Sequence, residues 1–144
     1  MKELLGKLVE EYNKSVTVDG VTKSVVHQPS FAYHYNDKDE KEDNHLVNID
    51  VGKFDDLFHK SEYYVGKGGT GQIKNRYNEF GDWYKTSSED LHAPYVSFSN
   101  DEPHFTNGRH RYAWLRDNGV HTIPMSMSST DRDVANKLNL IRTK

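Results

Sequence analysis

The stretch from Phe105 to Met127 constrains the fold more than any other part of this sequence. Strand-forming Phe105-Thr-Asn runs into Gly108, and a run of helical character follows from about Arg109 to Asn118. Gly119 stands where a helix ends on a left-handed residue, and Val120 is spaced to pack back on Leu115. Thr122-Ile-Pro-Met-Ser-Met then returns to β character, with Pro124 expected at a strand start or on an edge because it lacks an N–H. A strand, a turn, a short helix and a second strand in so few residues imply a mixed fold, α/β or α+β, with helices flanking a small mixed sheet.

The rest of the chain fits around that unit. Leu4, Leu5, Leu8, Val9 and Tyr12 recur at helical spacing and need a partner, either the protein's own core or another copy of the chain. Asp19-Gly20 between two valine-rich runs predicts a tight hairpin. Residues 36–44 hold no apolar side chain and are expected as a solvated loop. Leu46 to Val51 predicts a strand, with Phe54, Leu57 and Phe58 on a short helix after it. Ile73, Tyr77, Phe80 and Tyr84 predict a helix over 72–84, weakened near its end by Gly81. Tyr95 to Ser99 and the residues around His104 to Thr106 predict two strands joined by a turn at 100–103. Thr130 is expected to cap a last helix bearing Val134, Leu138 and Ile141 on one face.

A chain of 144 residues can bury one core, so one domain is expected. It divides into an extension over 1–44, a core over 45–128 and a terminal helix over 129–144. Nine Tyr, six Phe and two Trp predict an aromatic interior. No cysteine is present, which excludes disulfides, thiolate metal sites and cysteine nucleophiles, and fits a reducing compartment. No run approaches a membrane span, and a cytoplasmic location is expected. A net charge of −3 argues against a whole surface built to hold a polyanion, so any nucleic-acid contact is expected to be local.

The residues with most chemical content sit where the Phe105 strand meets its helix. The first amides of a helix lack internal partners and lie at the positive end of its dipole, so an anion is stabilised there. In Asn107-Gly108-Arg109-His110-Arg111, the glycine permits close approach and the three basic side chains can donate charge-assisted bonds to phosphate oxygens. The other reading is an ordinary solvated basic cluster. Lys67, Gly68, Gly69, Thr70 and Gly71 precede the next-best helix start and are either a second phosphate cradle or a flexible turn, without the spacing of a nucleoside-triphosphate P-loop. Lys74 and Arg76 follow and could add positive charge.

Phosphoryl chemistry would need Mg²⁺ and a group to position the nucleophile. His110, Asp50 and Glu79 are the candidates for catalytic roles, with Asp55, Asp56 and Asp82 further carboxylates of no diagnostic spacing. His104 is either a strand-surface residue or a general base. The eight histidines show no ligand-pair spacing, and no protein-held metal site is expected. Tyr77, Trp83, Tyr84 and Trp114 are either core or stacking surfaces for a base.

The segment Phe105-Thr-Asn-Gly-Arg-His-Arg-Tyr-Ala-Trp-Leu-Arg-Asp-Asn-Gly-Val-His-Thr-Ile-Pro-Met resembles the signature of the ParB/sulfiredoxin superfamily: a strand, a Gly-x-His-Arg turn, an Ala-containing helix, Gly, and an Ile-Pro-Val-like strand. The likeness is specific over about Tyr95 to Met127, looser back to Leu46, and does not cover residues 1–44. It implies a compact fold of that type and a nucleotide-phosphate site at His110 and Arg111. Sulfiredoxins place a catalytic cysteine directly before the His-Arg pair, where this sequence has Arg109, so sulfinic acid reduction through that position is excluded. Partition-type ParB proteins add a helix-turn-helix domain that is not expected here. The resemblance is therefore to small stand-alone ParB-like proteins of phages and plasmids, whose activities are diverse.

Three functional expectations follow. The first is a nucleotide-binding protein that hydrolyses or transfers a phosphoryl group, using Mg²⁺ and a nucleotide such as ATP or CTP. The second is a small nuclease acting on DNA or RNA. The third is a non-catalytic phage or plasmid protein that occupies a host protein through residues 1–44.

Overall fold

The computed structural model describes residues 14–27 and 43–142. The helix predicted over Leu4 to Tyr12 and most of the predicted charged loop lie outside them. Strands β1 (Ser15–Val18) and β2 (Val21–Val26) form the expected hairpin. Asp19 and Gly20 both take positive φ, 49° and 79°, which gives the turn a twist that matches paired strands. β3 (His45–Asp50) leads directly into α1 (Val51–Phe58), and after a loop with a short 3₁₀ turn at Lys67–Gly69 comes α2 (Arg76–Thr86). Then follow β4 (Leu91–His92), β5 (Tyr95–Ser99), β6 (Glu102–Asn107), α3 (Arg109–Asp117), β7 (Thr122–Met127) and α4 (Ser129–Lys137).

The fold is α+β, with two small mixed sheets in place of the single one expected. One has the order β1-β2-β4, the other β3-β7-β5-β6. β4 has no counterpart among the expected strands, because it is a two-residue strand, parallel to the end of β2, that is too short to show a period. Among the described residues no helix is long and apolar enough to cross a membrane.

Pro124 stands inside a strand and not at an edge or a strand start, but it is paired on one side only, as a proline requires. β7 lies inside its sheet, antiparallel to β3 along its whole length and parallel to β5 through Tyr95 and Ser126. The Ser126 N–H points toward β5 and donates to the Pro94 carbonyl, so alternation aims the Pro124 nitrogen to the same side, beyond the reach of β5. An interior strand thus accepts proline where one flank ends early.

Helix ends follow local chemistry closely. α3 closes as its sequence predicts: Gly119 N–H donates to Arg116 and Val120 N–H to Leu115, with Gly119 at φ 83°. α4 is capped by Ser128, whose hydroxyl accepts from Asp131 N–H at 3.2 Å, and not by Thr130, which sits inside the first turn. It stops at a left-handed Asn139, so Ile141 leaves the helix face predicted for it and bridges to Ile49 on β3.

Two aromatic groups hold the helices on the sheets. Phe54, Phe58, Phe105 and Tyr112 pack with ring centroids 4.9–6.1 Å apart, joining α1, β6 and α3. Phe80, Tyr84 and Trp114 join α2 to α3 at 5.2–6.3 Å. Gly81, a weak helix residue in isolation, serves this second group. A Cβ there would collide with Nε1 of Trp114, so the glycine lets the two helices approach. Lys23 is buried beneath α2, its ammonium donating to the carbonyls of Ser87 and Glu89 at the helix's C-terminal end.

Candidate functional site

β6 delivers Asn107 and Gly108 to the start of α3. Gly108 has φ 91°, and a Cβ on it would lie 2.8 Å from both Pro94 Cα and Arg111 Nη2. Only a glycine turns the chain in that space. Among the described residues no side chain caps α3, and its first intrahelical bond runs from Tyr112 N–H to the Gly108 carbonyl. The amides before it have no acceptor inside the helix, as at any helix start.

A cleft of about 680 Å³ opens at this point. Its walls come from β6 and the first turn of α3, from Arg76, Glu79, Phe80 and Trp83 on α2, and from Phe58, Ser61 and Tyr63. The volume lies within the range of small-molecule sites. Among the described residues, the guanidiniums of Arg76, Arg109 and Arg111 share the cleft with the carboxylate of Glu79. Arg109 lies over the exposed ring of Tyr63, 5.5 Å from its centroid, and Arg111 donates to Asn107 Oδ1 at 3.2 Å. Burial lowers the Arg111 pKa, which still leaves an arginine charged at neutral pH.

His110 stands at the centre of this charge and is itself uncharged. Burial, then the nearby charges of Arg109, Arg76 and Arg111, push its pKa down to about 4. Its Nε2 accepts the Ile73 N–H at 3.0 Å, which places the ring proton of the neutral imidazole on Nδ1. The ring therefore ties the segment before α2 to the start of α3.

The structure gathers Asn107, Gly108, Arg109, His110, Arg111 and Arg76 at one cleft, together with Glu79 and His104. It does not bring the other predicted residues there. Asp50 caps α1 by accepting Lys53 N–H at 3.0 Å and pairs with Arg142, so it has structural partners on the far end of β3. The Lys67–Gly71 segment does not line the cleft. Gly68 N–H, the kind of donor a phosphate cradle would need, goes to Asp117 Oδ2 at 3.0 Å, at the C-terminal end of α3. Thr70 Oγ1 donates to the Lys67 carbonyl, and Gly69 packs close against Tyr77. The glycines there serve a compact turn.

That turn belongs to a polar network absent from the sequence reading. Asp117 Oδ2 also accepts the Tyr77 hydroxyl at 2.6 Å, and Arg116 bridges Asp117 to Asp55 with contacts of 3.0 Å. Asp55 accepts the hydroxyls of Tyr64 and Tyr112, each at 2.8 Å. Burial and the Asp117 carboxylate push Tyr77 up to about 12, and burial with Asp55 raises Tyr64 and Tyr112. Burial opposes the charge on Arg116, but its two carboxylate partners outweigh that and raise its pKa. Asp55 is thus a structural anchor. Of the four aromatics considered as stacking surfaces, Trp83 lines the cleft, whereas Tyr77, Tyr84 and Trp114 are core.

Comparison of the chain with family models, curated proteins and solved structures returned no match. Tyr63 is the cleft residue the sequence concealed: it lies 46 positions from Arg109, in a segment without any period, and is 57% exposed. No group of three or more His, Asp or Glu side chains that could hold a metal lies among the described residues.

Proposed function

We propose that this chain binds the phosphate groups of a nucleotide at the start of α3. The observation that carries the proposal is the convergence of three guanidiniums on an uncapped helix start inside a cleft with aromatic walls. Helix dipole, orphan amides and guanidiniums all favour an anion in the same volume. Phe80, Trp83 and Tyr63 supply apolar surface for a base. The likeness of the Phe105 to Met127 segment to ParB/sulfiredoxin proteins, with a His-Arg pair at a phosphate site, supports the same reading. Here Arg111 brings the charge and neutral His110 brings shape, through Ile73.

The reading is one of binding. Two of the three residues considered for catalysis have structural work: Asp50 at the α1 cap, and His110 Nε2 under the Ile73 amide. Glu79 is the one carboxylate among the described cleft residues, so these offer a Mg²⁺ ion one ligand, and the ion would be held mainly by the phosphates themselves.

Calorimetric titration with nucleoside di- and triphosphates, with and without Mg²⁺, tests the proposal. Binding is expected, weakened on the order of tenfold by Arg109→Ala and by Arg76→Ala, each of which removes a charge-assisted contact. Absence of binding for every nucleotide, or binding indifferent to both substitutions, would overturn it.

A further inference from the structure

We infer that the cleft selects ribonucleotides over deoxyribonucleotides, the Glu79 carboxylate accepting hydrogen bonds from the ribose hydroxyls. The inference rests on the phosphate-binding reading above and adds the class of nucleotide. It comes from the order of side chains along one helix. α2 presents Arg76, Glu79, Phe80 and Trp83 to the cleft. At about 1.5 Å of rise per residue, Glu79 lies about 4.5 Å and Trp83 about 10.5 Å along the axis from Arg76.

The two ends of this row differ in chemistry. The Arg76 end faces the start of α3, since Ile73, three residues before Arg76, donates its N–H to His110 Nε2 at 3.0 Å, and Arg76 lines the cleft with Arg109 and Arg111. The other end is aromatic, with the Phe80 and Trp83 rings 5.6 Å apart and inclined by 31°. Cation, carboxylate, rings is thus the sequence met by a ligand lying along α2. A nucleotide with its phosphates at the cationic end places its sugar beside Glu79 and its base against the rings.

A carboxylate in a phosphate site needs a reason. Beside the phosphates it would repel them, and as an acceptor it can be satisfied only by donors. The exposed Glu79 carboxylate has no hydrogen-bond or ion-pair partner among the described residues, although it shares the cleft with three guanidiniums. The 2′ and 3′ hydroxyls of ribose are neighbouring O–H donors at the right place in the ligand. An acidic side chain holding the ribose 2′-hydroxyl is a known solution in dinucleotide sites. Deoxyribose offers one donor fewer.

The test is calorimetry on the intact chain with the four common ribonucleoside diphosphates and their 2′-deoxy counterparts, on the wild type, Glu79→Gln and Glu79→Ala. Inorganic pyrophosphate serves as a probe of the phosphate end alone. For the wild type, the ribonucleotide is expected to bind on the order of tenfold more tightly than its deoxy form, the value of a hydrogen bond to a charged group. In both variants that ratio should fall toward one, with pyrophosphate binding no weaker than in the wild type. Equal affinity of the wild type for ribo- and deoxy- forms would overturn the inference while leaving the phosphate site standing. A ratio that persists in both variants would overturn it as well. Failure of the wild type to bind pyrophosphate or any nucleotide would overturn both readings. Circular dichroism of each variant separates lost folding from lost recognition, and Glu79→Gln keeps the side chain's size if Glu79→Ala unfolds.

Discussion

Ile73 donates its backbone N–H to Nε2 of His110 at 3.0 Å, so an imidazole ringed by three guanidiniums spends its acceptor on the chain that leads into α2. One side chain thereby fixes both walls of the cleft, and it does so in the neutral form. A protonated ring could not accept that bond and would add a fourth positive charge.

Stability should therefore depend on pH through His110. Its folded pKa, about 4, lies below the ordinary value of 6.5, so the unfolded chain binds the extra proton first as pH falls. The contribution is fully present above about pH 6.5 and is lost progressively as pH falls toward about 4. Its size is on the order of 3 kcal/mol. Urea denaturation at several pH values across that window should show this slope in the wild type and a shallower one in His110→Gln. Parallel slopes would mean that the ring is not the titrating group.

Gly108→Ala should destabilise the protein and disturb the site together. The new methyl would meet Pro94 and the Arg111 guanidinium in a left-handed backbone, at a cost of about 1–3 kcal/mol. Denaturation midpoint and nucleotide affinity should both fall. A neutral effect on the two would contradict the close packing at this turn.

The polar network under the 3₁₀ turn should behave as a half-buried ionic cluster. Asp55→Ala removes the acceptor shared by Tyr64, Tyr112 and Arg116 and should cost about 3–5 kcal/mol, whereas Tyr112→Phe removes one of those bonds and should cost about 1–3 kcal/mol. Equilibrium unfolding in urea measures both. Equal costs would argue against a network centred on Asp55.

Asp117→Ala separates the two glycine-containing segments. It frees Gly68 N–H, the Tyr77 hydroxyl and Arg116 Nε at the far end of α3, about 12 Å along the axis from Arg109. Stability should fall by about 3 kcal/mol, while nucleotide affinity at the α3 start should change by less than about twofold. A gain in affinity would show instead that the Lys67–Gly71 amides take the phosphate once Asp117 releases them.

The path from sequence to site was clear where local chemistry decides and dark where distance does. Gly108, Gly119 and the Asp19-Gly20 turn were legible because a positive φ selects the residue. The basic cluster of residues 109–111 was legible because one helix start carries it. The partner of Asp50 is local, the Lys53 N–H three residues on, and marks it as the cap of α1, whereas Asp55 gives no local sign that two tyrosines and an arginine satisfy it. The Lys67–Gly71 turn deceived for the same reason: the partner of Gly68 N–H lies 49 residues away. Trp83 and Tyr84 are adjacent in sequence, and only packing separates a cleft wall from a core residue.

A crystal structure of the chain with a bound nucleoside diphosphate tests the central claim most directly. The phosphates should lie against the first-turn amides of α3, within hydrogen-bond reach of Arg109 and Arg76, with the base toward Phe80 and Trp83. Phosphates seated at Lys67–Gly71, or anywhere else with the α3 start left to solvent, would contradict the account.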